Sequence, residues 1–530
     1  MKQLLSKTFA LGLSITLLVL LSASSSGLQA KSTSPKIDTA ISQFLAAGQT
    51  EAKLNIIVQS QAGSQIARQA VTATGGLVTA ELALINGVGA QVDYQTLANL
   101  IDDGRLSAIS LDYQTESTGA KLPQLESTTI QPDRSKRVKE YYLAPLDIGA
   151  EQLWAANIRG QGITVAIVDT GIEPTKFFGQ LKRNGHDQKS PERLVDWVDF
   201  VEPDRQTAYD PHGHGTHVAG LVASEYGSHK DQAYLGVAPA ANLVSVRVLD
   251  ETGVGPYSQV IQGLQWVADH ADRYNIRVVN LSIVAEPHSL YIDDVLNQAV
   301  EALWAEGLVV VTAAGNTGPA GSTIMVPGNN PYAITVGAID SHNTAQQFDD
   351  DTLATFSSVG PTYENFVKPE VLAPGVGTVS LLSSKEAILN EDSEFVLNGR
   401  LSRMNGTSAS TALVSGAVAL LLDARPDLSP NDIKFLLMST ARVGWHGDQA
   451  YHPFQQGAGY IWLPQAAQAA VTGNPNAGLE YGTLNIGNAH LLDDTWTGGQ
   501  SWTGGQSWTG GLSWTGGLSW TGGWVEPLDD

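Results

Sequence analysis

The chain has 530 residues, of which 42% are hydrophobic and 16% charged, a soluble globular composition long enough for several domains and not that of a disordered or polytopic membrane protein. Acidic residues outnumber basic ones 53 to 30, for a net charge of -23, so a phosphate-backbone partner is set aside and no nucleic acid is expected. Cysteine is absent, which excludes disulfides, thiolate nucleophiles, zinc-thiolate sites and iron-sulfur clusters.

Lys2 and Lys7 precede an apolar run, Phe9 to Leu21, followed by small residues from Ser22 to Ser26 and by Ala30. A run of thirteen residues makes about 20 Å of helix against about 30 Å of hydrocarbon, so residues 1–30 read as a secretory signal peptide and not an anchor. The product is then expected to be secreted, extracellular or associated with the cell envelope. Residues 31–113 read as a small α+β unit: a strand at Leu54 to Val58, two more between Leu77 and Ala90 around Asn86-Gly87, a helix from Gln91 to Ile101 and a last strand from Leu106 to Leu111. Residues 114–140 are rich in Ser, Thr, Pro and charge, which predicts a protease-exposed linker carrying a processing site.

From 141 to 475 apolar runs alternate with helical patterns. Strands are predicted at Thr164 to Val168, Leu243 to Leu249, Arg277 to Leu281, Leu308 to Thr312 and Ala333 to Val336, with helices at Val260 to Ala271 and Asp293 to Glu306. Strands apolar throughout and separated by helices call for a parallel sheet covered on both faces. The fold class is therefore α/β, a doubly wound sheet whose reactive groups belong at the carboxyl ends of its strands. Residues 476–530 form a tail in which Trp496, Trp502, Trp508, Trp514 and Trp520 recur every six residues within WTGG repeats. An even spacing puts these rings on one face of an extended segment, while the paired glycines interrupt regular strands. A flexible solvated tail and an adhesive patch for surfaces, glycans or self-association both remain open.

Three local strings carry the chemistry. Asp169 ends the strand Val165-Ala166-Ile167-Val168 and is followed by Thr170-Gly171-Ile172. Residues 213–220 read GHGTHVAG, with Asp210 just ahead; the small residues around His214 allow close approach of neighbouring backbone, and His217 reads as a packing or hydrogen-bonding residue. Residues 406–410 read GTSAS before a long small and apolar stretch, which sets Ser408 at the N-terminus of a buried helix, where free N–H groups favour an oxyanion.

The order Asp169, His214, Ser408 on a parallel α/β scaffold is one of the known orders of a Ser-His-Asp triad. Together the three strings resemble those of the subtilisin-like serine proteases, the subtilase family, over roughly Tyr141 to Gly473. Ala313-Ala314-Gly315-Asn316 is similar to the family's oxyanion segment, Lys368 to Gly375 to the segment before the serine motif, and Gly457-Ala458-Gly459 to its last glycine signature. The resemblance implies a secreted serine endopeptidase: Ser408 as nucleophile, His214 as base and acid, Asp169 holding the imidazole, and Asn316 with the Ser408 N–H receiving the oxyanion. It further implies that an extended peptide adds as a strand between Gly253-Val254-Gly255 and Ser282-Ile283-Val284, with Ala314 and Gly315 also lining the site. The N-terminal unit resembles the family's propeptide, a folding template and inhibitor, so the chain is expected to be a self-processing precursor. Two departures stand out: Val284 occupies a place usually held by glycine, narrowing the pocket before the scissile bond, and Ala409 replaces a frequent methionine. The chemistry needs no cofactor; subtilases commonly bind calcium, but no D-x-D-x-D-G loop occurs here and metal is left open. Rival readings are a binding protein that has lost catalysis, or a peptide ligase or transferase using the same acyl-enzyme.

Overall fold

The computed structural model describes residues 34–48, 52–118, 143–179, 192–228, 233–342, 344, 346–383, 396–398 and 400–487. The apolar N-terminal run, most of the 114–140 segment and the WTGG repeats lie outside them.

The N-terminal unit is built from β1 (Lys36–Ile37), α1 (Thr39–Ala47), β2 (Leu54–Gln59), α2 (Ser64–Ala73), β3 (Leu77–Leu82), β4 (Gly87–Val92), α3 (Tyr94–Ile101) and β5 (Ala108–Leu111), its sheet ordered β1-β5-β2-β4-β3. β2 shows why it folds: Ile56 and Val58 turn into the unit's own core, whereas Ile57 points the other way into the core of the following domain, the two-residue alternation of a strand serving two partners at once. Asn86 takes a left-handed φ of 55° at the β3–β4 turn, which asparagine tolerates better than most residues. The helix read from Gln91 begins at Tyr94, because Val92 still pairs with Leu54 and the Asp93 side chain accepts the Thr96 N–H to cap the helix. α2 was not anticipated; its buried side is mostly alanine, Ala67 and Ala70 beside Val71, too small to mark an apolar stripe.

β6 (Gln114–Ser117) follows directly, and here the expected linker is corrected: these residues are not an exposed tether but a strand between two others. Polar side chains gave no warning because the pairing uses main-chain groups.

The large domain opens with α4 (Leu143–Asp147) and α5 (Ala150–Ala155). Its strands are β7 (Thr164–Asp169), β8 (Leu194–Asp199), a short pair β9 (Gly227–Ser228) and β10 (Ala233–Tyr234), β11 (Asn242–Arg247), β12 (Val254–Pro256), β13 (Ile276–Leu281), β14 (Ile283–Val284), β15 (Val309–Ala313), β16 (Ile334–Asp340), β17 (Thr352–Leu353) and β18 (Val371–Pro374). The main sheet is ordered β8-β11-β7-β13-β15-β16; β18 adds in parallel on β16, and β17 pairs antiparallel with β16 at the edge. Two helix pairs cover it, α6 (His214–Ala223) with α9 (Thr407–Ala424) and α7 (Tyr257–Tyr274) with α8 (Val295–Ala305). α9 is long and apolar enough to cross a membrane, yet 89% of it is buried inside the protein; it is the central core helix. α8 starts at Val295, later than the predicted Asp293, because Asp294 is its cap and accepts the Asn297 N–H at 2.9 Å.

The Lys368 to Gly375 segment and the Gly457-Ala458-Gly459 signature meet: a Cβ on Gly457 would stand 2.2 Å from the Pro369 carbonyl. Beneath them Glu370 Oε1 accepts Lys368 Nζ at 2.6 Å and Lys434 Nζ at 2.9 Å. Burial pushes Lys368 down to about 7 against the opposing pull of Glu370. Residues 476–487 also pack on this domain, the Tyr291 hydroxyl donating to the Thr483 carbonyl at 3.0 Å and Gly487 N–H to the Glu364 carbonyl at 2.8 Å. Residues 476–487, expected to belong to the tail, are therefore part of the packed domain.

Candidate active site

Asp169 stands at the carboxyl end of β7, fully buried. Its Oδ1 accepts the Thr170 N–H at 2.7 Å and meets His214 Nδ1 at 2.7 Å. Two glycines make that approach possible: a Cβ on Gly171, whose φ is +113°, would lie 2.0 Å from the Tyr209 carbonyl oxygen, and one on Gly215 would lie 2.1 Å from the Gly171 oxygen. Asp210 holds the loop. Its carboxylate accepts the Thr170 hydroxyl at 2.8 Å, the Gly213 N–H at 2.8 Å, the Thr216 N–H at 2.8 Å and the Thr216 hydroxyl at 2.6 Å. Burial raises its pKa, and these donors oppose the rise.

Ser408 sits in the first turn of α9, behind Gly406 with φ +149°. A Cβ on Gly406 would lie 2.6 Å from the Thr118 carbonyl oxygen, 3.1 Å from Ser408 Oγ and 3.4 Å from Asn316 Nδ2, so these three atoms surround one point. Asn316 is aimed by Thr407, whose N–H and hydroxyl donate to Asn316 Oδ1 at 2.9 and 3.0 Å; this leaves Nδ2 to donate to the Thr118 oxygen. His214 Nε2 and Ser408 Oγ are both buried without a hydrogen-bond partner, so the Ser-His bond is not formed in this state. Such bonds often tighten only in the reacting complex.

β6 fills the cleft. It runs antiparallel to β12 through Val254–Glu116 and Gly255–Thr115, and antiparallel to β14 through Ile283–Ser117 and Val284–Glu116. Ser117 N–H donates to the Gly253 carbonyl at 2.9 Å and the Thr115 hydroxyl to the Gly255 carbonyl at 2.8 Å. Gly253 and Gly255 thus touch the bound strand. Ser282 does something else: its hydroxyl accepts Asn280 Nδ2 at 2.9 Å and donates to the Ser408 carbonyl at 3.1 Å, bracing α9 against the sheet. Ala314 and Gly315 also spend their backbone groups internally, Ala314 N–H on Val336 and Gly315 N–H on the Thr407 hydroxyl at 3.3 Å.

Two further histidines flank His214. Burial, reinforced by His214, pushes His212 down to about 4 and His217 down to about 3, so both stay neutral at physiological pH. Among the described residues no group of three or more His, Asp or Glu is arranged to hold a metal. Thr118, Thr407 and Asn280 were missed by sequence reasoning. Thr407 was detectable, lying inside the GTSAS string; Thr118 carries no local mark.

Residues 160–460 match the model of the subtilase family of peptidases. Serine protease AprX of Bacillus subtilis is 40% identical over 285 residues, 53% of this chain and 61% of that protein. The chain therefore spans less than two thirds of that relative's length. Subtilisin DY of Bacillus licheniformis is 34% identical over 329 residues, 62% of this chain and 98% of the other. Among solved structures, fervidolysin of Fervidobacterium pennivorans, a keratinolytic enzyme related to subtilisin, superposes with a TM-score of 0.60 over 83% of this chain and 63% of its own, at 22% identity, and so speaks for the fold. A matched family model over more than half the chain, on a parallel sheet with Asp169, His214 and Ser408 at its carboxyl edge, places this protein in the subtilase family of subtilisin-like serine proteases.

Proposed function

We propose that the chain is the precursor of an exported serine endopeptidase that cuts itself between Thr118 and Gly119 and is then held inhibited by its own N-terminal unit. One observation carries this reading: the Thr118 carbonyl oxygen accepts from Asn316 Nδ2 beside Ser408, at the end of a strand laid antiparallel between β12 and β14. That is how a peptide about to be cut must lie, with main-chain bonds giving affinity and the carbonyl carbon beside the nucleophile.

The chemistry follows from the residue types. Ser408 Oγ attacks the Thr118 carbonyl carbon while neutral His214 takes the hydroxyl proton at Nε2; Asp169 holds Nδ1–H and so fixes the tautomer. Negative charge collects on the Thr118 oxygen, where Asn316 Nδ2 donates. His214 returns the proton to the Gly119 nitrogen as the C–N bond breaks. Water then attacks the acyl-enzyme with the same base, and release leaves residues up to Thr118 as a bound product. Residues 1–30 act as the export signal and the WTGG repeats as an adhesive segment for surfaces, glycans or further copies of the chain.

An inactive binding protein would have no need to keep Ser408 and Asn316 converging on one carbonyl, with His214 held by Asp169 nearby. The test is direct. The purified precursor should convert to two fragments and its mature part should be labelled by an organophosphonate serine reagent, whereas Ser408→Ala should remain a folded, uncut, unlabelled precursor. Normal conversion of Ser408→Ala with no other protease present removes the assignment. An added amine that captures most of the acyl group in place of water would favour the ligase reading.

A further inference from the structure

Self-cleavage after Thr118 identifies one bond, and the surroundings of that residue say which other bonds the enzyme accepts. We propose that Met325, together with Val284, closes the pocket beneath the residue preceding the scissile bond, so that the mature protease selects threonine, valine, serine or alanine there and rejects aromatic and long aliphatic side chains. This deepens the proposed function and rests on it.

Burial along the bound strand is uneven. Thr115 and Thr118 are covered while Glu116 between them is exposed. A strand would alternate; burial three residues apart means that the chain leaves the strand geometry after Ser117 and turns the Thr118 side chain into the protein. There it is 6% exposed, and its Oγ1 has no hydrogen-bond partner. The side chain is thus enclosed, and its surroundings offer Oγ1 no hydrogen-bond partner.

The floor comes from one segment. Ala285 and Val326 exchange backbone hydrogen bonds at 2.8 and 2.9 Å, and Met325 N–H donates to the Ala314 carbonyl at 3.0 Å. Residues 325–326 thus bridge the end of β14, which pairs with the bound strand, and the Ala314-Gly315-Asn316 segment, which holds its carbonyl. Met325 is 8% exposed and clusters with Val284 and Ala313, both still more buried. It also runs under Gly315, where a Cβ would lie 2.3 Å from Met325 Cγ. Thioether side chains fill irregular gaps, and β-branched Val284 is stiff at χ1. An aromatic ring buries about 150 to 250 Å² and could enter only by displacing both.

The experiment uses the matured enzyme, its active sites counted with the phosphonate reagent, and peptides of sequence Gln-Thr-Glu-Ser-X-Gly-Ala in which X is Thr, Val, Ala, Leu or Phe. Thr, Val and Ala should exceed Phe by about 100-fold in kcat/KM, the discrimination a closed apolar pocket can reach. Met325→Gly should raise the Phe-to-Thr ratio by about 100-fold, with Val284→Gly as an independent second variant. In the precursor, Thr118→Phe should block conversion and Met325→Gly should restore it. Native enzyme that cuts after Phe as well as after Thr overturns the proposal, as does an unchanged ratio in both pocket variants that still take up the phosphonate label. Should no peptide be cut and no label enter the native protein, it is the protease reading that falls.

Discussion

The N-terminal unit closes its own core around thirteen buried apolar residues, whereas the main core of the large domain draws on residues from Ile148 to Ala466 and takes in Ile57, Ala80, Leu82 and Ile85 of the unit as well. The unit is thus half of an interface as much as a domain, and a core that small is marginal by itself. Its polar contacts point the same way. α7 begins after Pro256 with no side-chain cap of its own, and Asp112 supplies one from the unit, accepting the Ser258 N–H at 2.8 Å and its hydroxyl at 2.6 Å. A carboxylate there meets both the free N–H groups and the positive end of the helix. Gln59 Nε2 donates to Gln298 Oε1 at 2.7 Å, and Lys36 pairs with Asp293. The difference fits the proposed role of the unit as a folding template, which would lend a cap and an apolar face to a sheet dominated by non-local contacts, slow to form.

The largest effect is expected on the large-domain side. Asp210→Ala orphans four donors in a fully buried loop, and the mature enzyme should lose on the order of 4 kcal/mol in urea unfolding; a loss below about 1 kcal/mol would mean that the glycine contacts alone hold His214. Asn316→Ala touches both regions through one atom. It should lower kcat about 10² to 10³-fold with little change in KM, a magnitude measured for the equivalent donor of subtilisin itself and carried over from there, and it should slow self-cleavage in proportion.

A smaller effect concerns pH. His217 has its folded pKa pushed down to about 3, below the ordinary unfolded value near 6.5. Between those values the unfolded chain binds the extra proton, so this residue's contribution is whole above about 6.5 and is lost as pH falls, roughly 2 kcal/mol by pH 5. Asp147 and Asp351, pushed up to about 7 chiefly by burial, act in the opposite sense. The observable is therefore a difference: between pH 7 and pH 5, His217→Asn should lose less stability than the native enzyme, and parallel curves would remove His217 as the cause. Smallest is Asp112→Ala, which should weaken inhibition by the added N-terminal unit about fivefold, near 1 kcal/mol, without altering kcat for a short peptide.

What the sequence made legible was whatever is local. Asp169, His214 and Ser408 announce themselves because each sits in a string of small residues that the close approach demands, as the 2.0 Å and 2.1 Å encounters at Gly171 and Gly215 show. The buried parallel strands announce themselves because both faces must be apolar. Edge strand β8 did not, since Asp196 and Asp199 interrupt it. Nor did α2, whose buried side is mostly alanine. Contacts made across long separations left no mark at all: Asp112 caps a helix 146 residues away, and β6 pairs through its main chain, so a segment reading as exposed linker holds the residue that meets the nucleophile. Val284 was legible as a narrowing substitution, while Met325 became visible only once residues 325–326 were seen to bridge β14 and the oxyanion segment.

Ser408 is proposed to cut its own chain after Thr118, and the intact mass of the released N-terminal fragment tests that most directly. Purified precursor should yield a fragment ending at Thr118 and a partner beginning at Gly119, at a first-order rate independent of protein concentration. A fragment ending elsewhere in the 114–140 segment at the earliest time points, or a rate that rises with concentration, would contradict it.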